Sequence, residues 1–359
     1  FVLPPAGIAE RLEHVTRPHR STREEPLAQP GAAEIDRVLE LLREGHPADF
    51  HHFKRATIER RILRRVLLEN HDNLTSYADS LENDRDALEA LYQDLLIGVT
   101  SFFREPERFE ALKQVVFPAI TENRSAGESI RIWVAGCSTG EEVYSLAITL
   151  LEFLGDRGDA PQIVIYGTDI NEKSLKKARA AVYSQRAVSA VSPERLERFF
   201  STAPGGYKIA KSVRELCVFA AHDVTRDPPY SRIDLVTCCN VLIYFEPDLQ
   251  KKALALLQYA IAPAGFLMLG SSENLRGSTN QLTVVSSKPL IYRRVQAPGS
   301  PATFDVAGRE PHSSAPPAPP APRRAAGGAP PLAAAQDDVC LAEPLAPCGG
   351  LVNERMEIT

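Results

Sequence analysis

Residues 133–145 have the sequence WVAGCSTGEEVYS, in which an apolar strand ends in a glycine-containing turn and a helix follows. In nucleotide-binding sheets, glycines such as Gly136 and Gly140 let a ligand approach the backbone, and the next helix points its N–H groups at it. Here Glu141 and Glu142 occupy the first helical turn, where they would repel a pyrophosphate. The turn is better suited to a ligand without phosphates that carries a positive charge, such as S-adenosylmethionine. The alternative is that both glutamates only cap the helix.

The rest of the chain divides around this turn. From about residue 129, strand-like runs alternate with helical patterns, which favours an α/β fold with a mostly parallel sheet covered on both faces. Helical apolar spacing extends through residues 30–108, so this part is predicted to be a small all-α domain. The predicted organisation is a tail or linker at 1–29, a helical domain at 30–108, an α/β domain at 109–296 and a Pro/Ala-rich disordered linker at 297–359.

One segment of the α/β part interrupts the alternation. Residues 182–221 contain a helix, a Gly-Gly turn and two strand-like runs, YKIAK and LCVFAA. We predict a small antiparallel β-insertion over this segment.

Composition excludes several classes of protein. The net charge of −5 gives no general attraction to nucleic acid or to an anionic membrane, and no apolar run approaches the ~20 residues that cross a bilayer. The six cysteines form no CxxC pair, so no metal site is predicted and buried reduced thiols in a cytoplasmic protein are expected. The first residues lack the layout of a signal peptide. Because the sequence does not begin with Met, we expect a piece of a longer protein.

Three more stretches contain candidate polar residues, two of them beside predicted strand ends and one in the segment between the predicted domains. Asp169 ends the strand in VIYGTDIN, where a carboxylate can accept hydrogen bonds from both hydroxyls of a ribose; capping the next helix is the alternative. Asn240 follows the strand in IDLVTCCNVLIYF, and fixing that turn is its alternative role. Arg104 lies in GVTSFFREPERF, which joins the two predicted domains, and a surface ion pair is its alternative.

Taken together, five stretches resemble the CheR-type chemotaxis receptor methyltransferases: TSFFRE (100–105), WVAGCSTGEEVYS (133–145), GTDIN (167–171), NVLIYF (240–245) and FLMLGSSEN (266–274). They occur in the order and spacing of that family, over about residues 30–295. The resemblance implies an all-α domain followed by a class I (Rossmann-like) methyltransferase domain with a three-stranded antiparallel insertion. It also implies a protein-glutamate O-methyltransferase that uses S-adenosylmethionine, releases S-adenosylhomocysteine and methylates chemoreceptor glutamates for sensory adaptation.

The resemblance also implies roles for residues at matching positions. Arg104 and Tyr244 would shape the reaction centre. Cofactor contacts are implied for Thr100, Arg104, Glu142, Asp169, Asp223, Val224, Cys239 and Asn240. The sequence departs from the family at two places: Asp223-Val224 replaces the more frequent Asn-Leu, and Gly98 stands where the family can have a contacting asparagine.

The stretch FKRATIERRILRRV (53–66) predicts a helix with a basic face that holds Lys54, Arg60, Arg61, Arg64 and Arg65. Such a face suits an acidic helical partner, such as the methylation region of a receptor's cytoplasmic part. A solvated charged face is the alternative, and nucleic acid is not favoured because aromatic residues do not interleave with the charges. The sequence leaves open whether the β-insertion binds a receptor C-terminal peptide.

A glutamate side chain with pKa about 4.3 is already an anionic nucleophile at neutral pH, so the proposed reaction needs no general base. Two other functions stay open: a class I methyltransferase for a small molecule, and a non-catalytic scaffold that binds S-adenosylmethionine or a receptor. A Rossmann oxidoreductase is not favoured because GxGxxG is lacking. The first residues, FVLPPAGIAERL, resemble the end of a CheB-type methylesterase domain, which suggests an esterase–transferase fusion. We expect a monomer.

Overall fold

The N-terminal part is helical, as predicted. Within residues 31–95, which the structure describes, there are four helices and a 3-10 turn at Phe50–His52: α1 (Ala32–Gly45), α2 (Arg55–Leu68), α3 (Leu74–Asn83) and α4 (Arg85–Leu95). The apolar stripe predicted for α1 is buried, because Ile35, Val38, Leu39 and Leu42 all face the core of this domain. Side-chain caps set the starts of α3 and α4: Asn73 accepts a hydrogen bond from the Ser76 N–H, and Asp84 accepts one from the Ala87 N–H.

The computed structural model describes residues 31–122, 124, 128–155, 161–273, 275 and 281–295. The predicted tail at 1–29, the linker at 297–359 and the CheB-like residues lie outside these ranges. After the helical domain, the described elements in chain order are α5 (Pro106–Ala111), a π-helical turn (Leu112–Val116), α6 (Phe117–Thr121), β1 (Ser129–Ala135), α7 (Glu141–Leu154), β2 (Gln162–Asp169), α8 (Glu172–Ala180), β3 (Val182–Tyr183), α9 (Pro193–Phe199), β4 (Phe200–Ala203), β5 (Gly206–Ile209), α10 (Lys211–Arg214), β6 (Cys217–Ala221), β7 (Ile233–Cys238), a 3-10 turn (Leu242–Tyr244), α11 (Pro247–Ala260), β8 (Ile261–Leu269), β9 (Leu282–Ser287) and β10 (Leu290–Arg294).

Among the described residues, the large sheet has seven strands in the order β6-β2-β1-β7-β8-β10-β9. Neighbouring strands from β6 to β8 are parallel, and β10 runs antiparallel to β8 and β9. The chain passes from β1 outward to β2 and β6, and then returns to β7 on the other side of β1. This reversal makes the carboxyl ends of β1 and β7 the edge at which open α/β sheets bind ligands. The predicted α/β class is confirmed.

The predicted insertion is a three-stranded antiparallel sheet in the order β3-β5-β4, but it is shorter than the predicted 182–221. The run LCVFAA does not belong to it. Its residues form β6, the edge strand of the large sheet, in parallel register with β2. The sequence did not indicate this difference, because the half-exposed pattern of an edge strand is the same as that of a strand in a surface hairpin.

Candidate functional site

The turn after β1 is tied to the end of β2. The N–H groups of Gly136 and Cys137 both donate to the Thr168 carbonyl at 2.8 Å. Gly136 has φ +75°, and a Cβ at this position would lie 2.3 Å from Val241 Cγ2, so only glycine fits there. The turn therefore keeps the exits of β1, β2 and β7 close together.

The two glutamates after this turn have different surroundings. Glu141 is buried away from the cavity described below, and its carboxylate accepts a hydrogen bond from Thr139 Oγ1 at 2.6 Å. Glu142 lines the cavity and accepts a hydrogen bond from Thr237 Oγ1 at 2.8 Å. Burial raises the pKa of Glu142, while the hydrogen bond from Thr237 and the charge of Arg108 oppose that rise. Only Glu142 can meet a ligand directly, which separates two residues that the sequence treated alike.

Asp169 is the last residue of β2, and its carboxylate faces the same turn. One oxygen accepts from the Ser138 N–H at 2.7 Å and the other from the Asn171 N–H at 2.8 Å. Burial raises the pKa of Asp169 although these hydrogen bonds favour the charged form. The helix cap proposed as the alternative role belongs to Asn171, which accepts from the N–H groups of Lys173 and Ser174. A role at the ligand edge therefore stays the prediction for Asp169.

The exit of β7 is held by an acid that the sequence analysis did not single out. Glu273, only 5% exposed, accepts hydrogen bonds at 2.8–2.9 Å from the N–H groups of Asn240, Val241, Leu242 and Gly270. This carboxylate fixes the turn, which was the alternative role considered for the Asn240 amide. Within the described residues the Asn240 side chain makes no hydrogen bond, so its amide is available at the cavity wall.

The segment between the domains places Thr100 and Arg104 at the same cavity. Arg104 is exposed, and its Nη1 donates to the Val99 carbonyl at 3.0 Å. No ion pair of Arg104 occurs among the described residues, so the surface ion pair considered for it is not found. Gly98 also lines the cavity; its carbonyl accepts from Ser138 Oγ at 3.2 Å, and it offers only backbone where the family can have a contacting asparagine.

Backbone strain concentrates around this edge. Four non-glycine residues with positive φ border it: Phe103 (+49°), Glu105 (+57°), Ser138 (+49°) and Asn240 (+61°). Such conformations cost roughly 1–3 kcal/mol each and persist where surrounding contacts impose them, often at functional sites. This strain could not be predicted from the sequence, because all four residue types commonly have ordinary backbone angles.

At the β6 end, Asp223 and Val224 line the cavity in a tight turn. The Asp223 carboxylate accepts from the N–H and the hydroxyl of Thr225 at 2.8 and 2.6 Å, and its own N–H donates to Asp227. Asp223 thus fixes its own loop, which leaves part of its hydrogen-bonding capacity for a ligand.

All the residues predicted for the cofactor and the reaction centre line one cavity of about 200 Å³: Thr100, Arg104, Glu142, Asp169, Asp223, Val224, Cys239, Asn240 and Tyr244. Their roles in binding stay predictions. The helical domain closes part of the cavity with Ala48, Asp49, Phe53, Leu95 and Leu96, which the sequence analysis missed because no local motif marks them.

The basic helix α2 begins beside Tyr244, a residue of the cavity wall. The Lys54 N–H donates to the Tyr244 carbonyl at 2.8 Å, and the preceding residue, Phe53, pairs with Phe245. Burial raises the pKa of Tyr244, and the charges of Arg61 and Arg104 act against that rise.

The five predicted docking residues fall into two groups. Arg61 donates to the Asp94 carbonyl, and Arg65 binds the carboxylates of Glu69 and Asp94, so both are used inside the helical domain. Lys54, Arg60 and Arg64 are exposed. The face available to a partner is therefore narrower than the sequence predicted, because the C-terminal end of α4 covers two of its arginines.

Arg108 is a second residue that the sequence analysis missed. It is 2% exposed, and its Nη2 lies 2.9 Å from the Glu105 carboxylate. That ion pair lacks hydrogen-bond geometry, and neither Nε nor Nη2 has a hydrogen-bond partner among the described residues. Burial acts to lower the pKa of Arg108, but Cys239, Glu142 and Glu105 raise it overall, which keeps a buried positive charge beside the cavity.

Known proteins match the chain over both domains. Residues 98–291 match the family described as CheR methyltransferase, SAM binding domain, and residues 33–96 match the family described as CheR methyltransferase, all-alpha domain. In the part of the chain that the structure describes, we find no helix that is both long and apolar enough to traverse a bilayer.

Three relatives illustrate the similarity. A 104.1 kDa protein from the hypE 3' region of Rhodobacter capsulatus is 36% identical over 277 residues, which are 77% of this chain and 29% of that relative. The chain thus spans less than a third of that protein. Cher3 of Pseudomonas putida is 36% identical over 252 residues, 67% of this chain and 89% of its own length. Chemotaxis protein methyltransferase 1 of Vibrio cholerae is 34% identical over 232 residues, 61% of this chain and 82% of its own length.

Proposed function

This chain belongs to the CheR methyltransferase family, and from that premise we propose that it methylates glutamate side chains of chemoreceptors, forming methyl esters in sensory adaptation. The match to a SAM-binding domain makes S-adenosylmethionine the cofactor and S-adenosylhomocysteine the product. One observation supports the proposal for the substrate: Tyr244 lines the same cavity as Glu142 and Asp169, and the basic helix α2 begins directly after the residue that is hydrogen-bonded to it.

The cavity suits a cationic ligand without phosphates. Glu142 presents a carboxylate that is bound by one hydroxyl only, and Asp169 presents another at the tip of β2. We assign Glu142 to the charged end of the cofactor and Asp169 to its ribose, with the Asp223-Val224 loop beside the adenine. When bound, S-adenosylmethionine supplies an electrophilic methyl group on a sulfonium.

The residues around Arg104 and Tyr244 would then align the substrate. A receptor glutamate is ionised at neutral pH, so its oxygen forms the bond to the methyl carbon as the methyl–sulfur bond breaks and the electron pair stays on sulfur. No proton moves. Arg104 would orient a carboxylate, Tyr244 would line the methyl path, and the helical domain would exclude water, so the chain contributes mainly alignment and a dry site.

The exposed arginines of α2 provide the surface for the receptor. Arg60 and Arg64 lie one helical turn apart, and the N–H of Lys54 is bonded to the carbonyl of Tyr244 in the cavity wall. An acidic helix seated on this stripe would bring its own glutamates close to Tyr244. In this proposal residues 30–108 recognise the cytoplasmic region of a receptor, and residues 109–296 transfer the methyl group; the protein acts as a cytoplasmic monomer.

Reversal of the two exposed charges tests this surface. The double variant Arg60→Glu, Arg64→Glu is expected to raise KM for receptor-containing membranes at least tenfold, because the steering charges change sign. The affinity for S-adenosylhomocysteine should stay unchanged. The matched control is Arg43→Glu, Arg85→Glu, which makes the same change in net charge on exposed positions of α1 and α4. Equal KM values for the two double variants would contradict the assignment.

Replacement of Glu142 by glutamine tests the charged end of the cavity. Titration calorimetry should show an affinity for S-adenosylhomocysteine about 10- to 100-fold lower, because one charge-assisted hydrogen bond is lost. Glu141→Gln is the matched control: this neighbour is bound to Thr139 and does not line the cavity, so its effect should stay below about threefold. Similar losses in both variants would refute the separate roles of the two glutamates.

The raised pKa of Glu142 also predicts a change in stability. A buried carboxyl with a raised pKa stabilises the fold below its unfolded-state pKa, and this contribution is lost as the pH rises through the folded value. At pH 7 Glu142→Gln should therefore raise the melting temperature of the ligand-free protein, and the gain should shrink as the pH falls toward 5. A ligand-free variant that melts below the wild type at pH 7 would be the opposite result.

A non-catalytic scaffold and a small-molecule methyltransferase are the alternatives. Calorimetry with S-adenosylhomocysteine, followed by tritiated methyl transfer to receptor-containing membranes, separates all three functions. Binding without transfer indicates the scaffold, and labelled small molecules without labelled receptor indicate the second enzyme. Binding of a receptor C-terminal peptide by the β3-β5-β4 sheet stays a separate hypothesis. Titration of the whole protein with the peptide would test it.

A further inference from the structure

The linker around Arg104 has an unusual backbone. Phe103 and Glu105, the residues on either side of Arg104, both have φ in the left-handed region, at +49° and +57°. An isolated chain would rarely hold two such residues around a third, so neighbouring groups must impose this conformation. The direction in which Arg104 projects depends on those groups.

Three contacts hold Phe103. Its N–H donates to Ser145 Oγ at 2.9 Å, and its ring packs edge-on against Phe109 at 5.4 Å between centroids. The Arg195 guanidinium lies over the same ring, with its central carbon 4.0 Å from the ring centroid. A guanidinium at this distance from an aromatic face is attracted by the ring.

Arg195 comes from α9 of the β-insertion and is itself held in place. Its Nε and Nη2 donate to the two carboxylate oxygens of Glu152 on α7, at 2.7 and 2.8 Å. Lys113 lies 3.4 Å from the same carboxylate. These two hydrogen bonds fix the plane of the guanidinium, so Arg195 stacks on the Phe103 ring in one defined orientation.

From these contacts we propose that Arg195 is a positioning residue for methyl transfer: stacked on Phe103 and oriented by Glu152, it fixes the linker so that Arg104 points into the cavity. The inference rests on the role proposed above for Arg104. It also connects the β-insertion mechanically to the reaction centre, since α9 belongs to the insertion and Phe102 packs against Tyr183 and Phe200 of its small sheet.

A purely structural role for Arg195 makes a different prediction. The Arg195 side chain is 23% exposed and that of Glu152 is 20% exposed, and a partly buried two-bond pair of this kind can contribute to global stability. If Arg195 only stabilised the fold, its loss would lower the melting temperature and leave the turnover of the folded protein unchanged. A positioning role predicts a loss in kcat of the folded protein, whatever the change in melting temperature.

The central variant is Arg195→Met, which keeps an unbranched apolar stem and removes the charge and the two hydrogen bonds to Glu152. We expect kcat for methyl transfer to fall roughly 5- to 30-fold, the effect of losing a partly desolvated cation–aromatic contact, with KM for the receptor within about twofold. Arg195→Lys retains a charge over the ring and should recover part of the loss. The matched control is Arg198→Met on the same helix, whose guanidinium lies 5.0 Å from Phe199 and not over the linker; its kcat should stay within about twofold.

Two further readouts test the inferred mechanism. Hydrogen exchange of the ligand-free protein should be faster for the Phe103 amide in Arg195→Met and unchanged across β1. In an Arg104→Ala background, adding Arg195→Met should lower single-turnover transfer by less than about twofold, because the group that Arg195 positions is already absent. If Arg195→Met does not fold, Glu152→Gln removes the same pair of charge-assisted hydrogen bonds. It should likewise speed the exchange of the Phe103 amide, and it should lower the transfer rate by less than about twofold in the Arg104→Ala background.

The outcomes separate this inference from the proposed function. If Arg104→Ala is inactive but Arg195→Met changes neither kcat nor the exchange of Phe103, the positioning role is refuted and the function stands. Losses that multiply in the double variant would also refute it, because Arg195 would then act without Arg104. If Arg104→Ala is fully active, the role of Arg104 fails first, and the inference fails with it.

Discussion

Arg104→Ala is expected to lower the rate of methyl transfer by roughly 10²- to 10³-fold, the loss that follows removal of a charged group aimed at a reaction centre. The reason is positional: Arg104 lines the same cavity as Tyr244, in a linker where the residues on both sides of Arg104 have positive φ. The melting temperature should hardly change, because the Arg104 side chain is exposed and its described hydrogen bond goes to the Val99 carbonyl in the same linker. Single-turnover transfer of a tritiated methyl group, together with thermal unfolding, measures both quantities.

Two variants make this prediction sharper. Arg104→Lys keeps the charge but lacks the planar fork, so its rate should fall between those of the alanine variant and the wild type. Arg186→Ala, an exposed arginine of the β-insertion, controls for loss of a surface charge and should transfer at the wild-type rate. Near-wild-type methylation by Arg104→Ala would remove Arg104 from the reaction centre.

Glu273→Ala is expected to destabilise the fold by about 3–5 kcal/mol. The carboxylate accepts hydrogen bonds from four backbone N–H groups, and its loss leaves these donors, at the exits of β7 and β8, without an acceptor. Each unpaired buried donor costs about 1–3 kcal/mol, and water entering the space left by the side chain would satisfy some of them. Urea unfolding followed by circular dichroism gives the difference in free energy of unfolding.

The same substitution should also lower the affinity for the cofactor, because Asn240 keeps its φ of +61° only while the Glu273 carboxylate binds that turn. The matched control is Glu246→Ala, an exposed glutamate that ends the same loop, and its free energy of unfolding should change by less than about 0.5 kcal/mol. Equal free energies of unfolding for Glu273→Ala and Glu246→Ala would show that the turn does not depend on Glu273.

Much of the architecture could be predicted because its signals are local. The stripe of Ile35, Val38, Leu39 and Leu42 repeats within one helix, and the strand–turn–helix around Gly136 is contained in a dozen residues. The positions of Glu142 and Asp169 at one edge followed from the rule that parallel strands end together. The resemblance to a family then grouped the remaining cavity residues, which no local pattern connects.

The features that were missed depend on contacts between distant residues. Glu273 shows in the sequence only as an acid after a strand, and its four donors lie mostly some 30 residues earlier in the chain. Arg61 and Arg65 have the same helical spacing as Arg60 and Arg64, and only the approach of Asp94 from another helix separates them. The place of β6 in the large sheet also depends on its partner strand.

The central claim is that a receptor glutamate is methylated at this cavity, and base treatment of labelled receptor tests it most directly. Membranes that contain the cognate receptor are incubated with the protein and tritiated S-adenosylmethionine, and the receptor band is then exposed to alkali. The account predicts label on the receptor that alkali releases as volatile methanol, and that is lost in Arg104→Ala. Label that resists alkali, or an unlabelled receptor when S-adenosylhomocysteine binds normally, would contradict it.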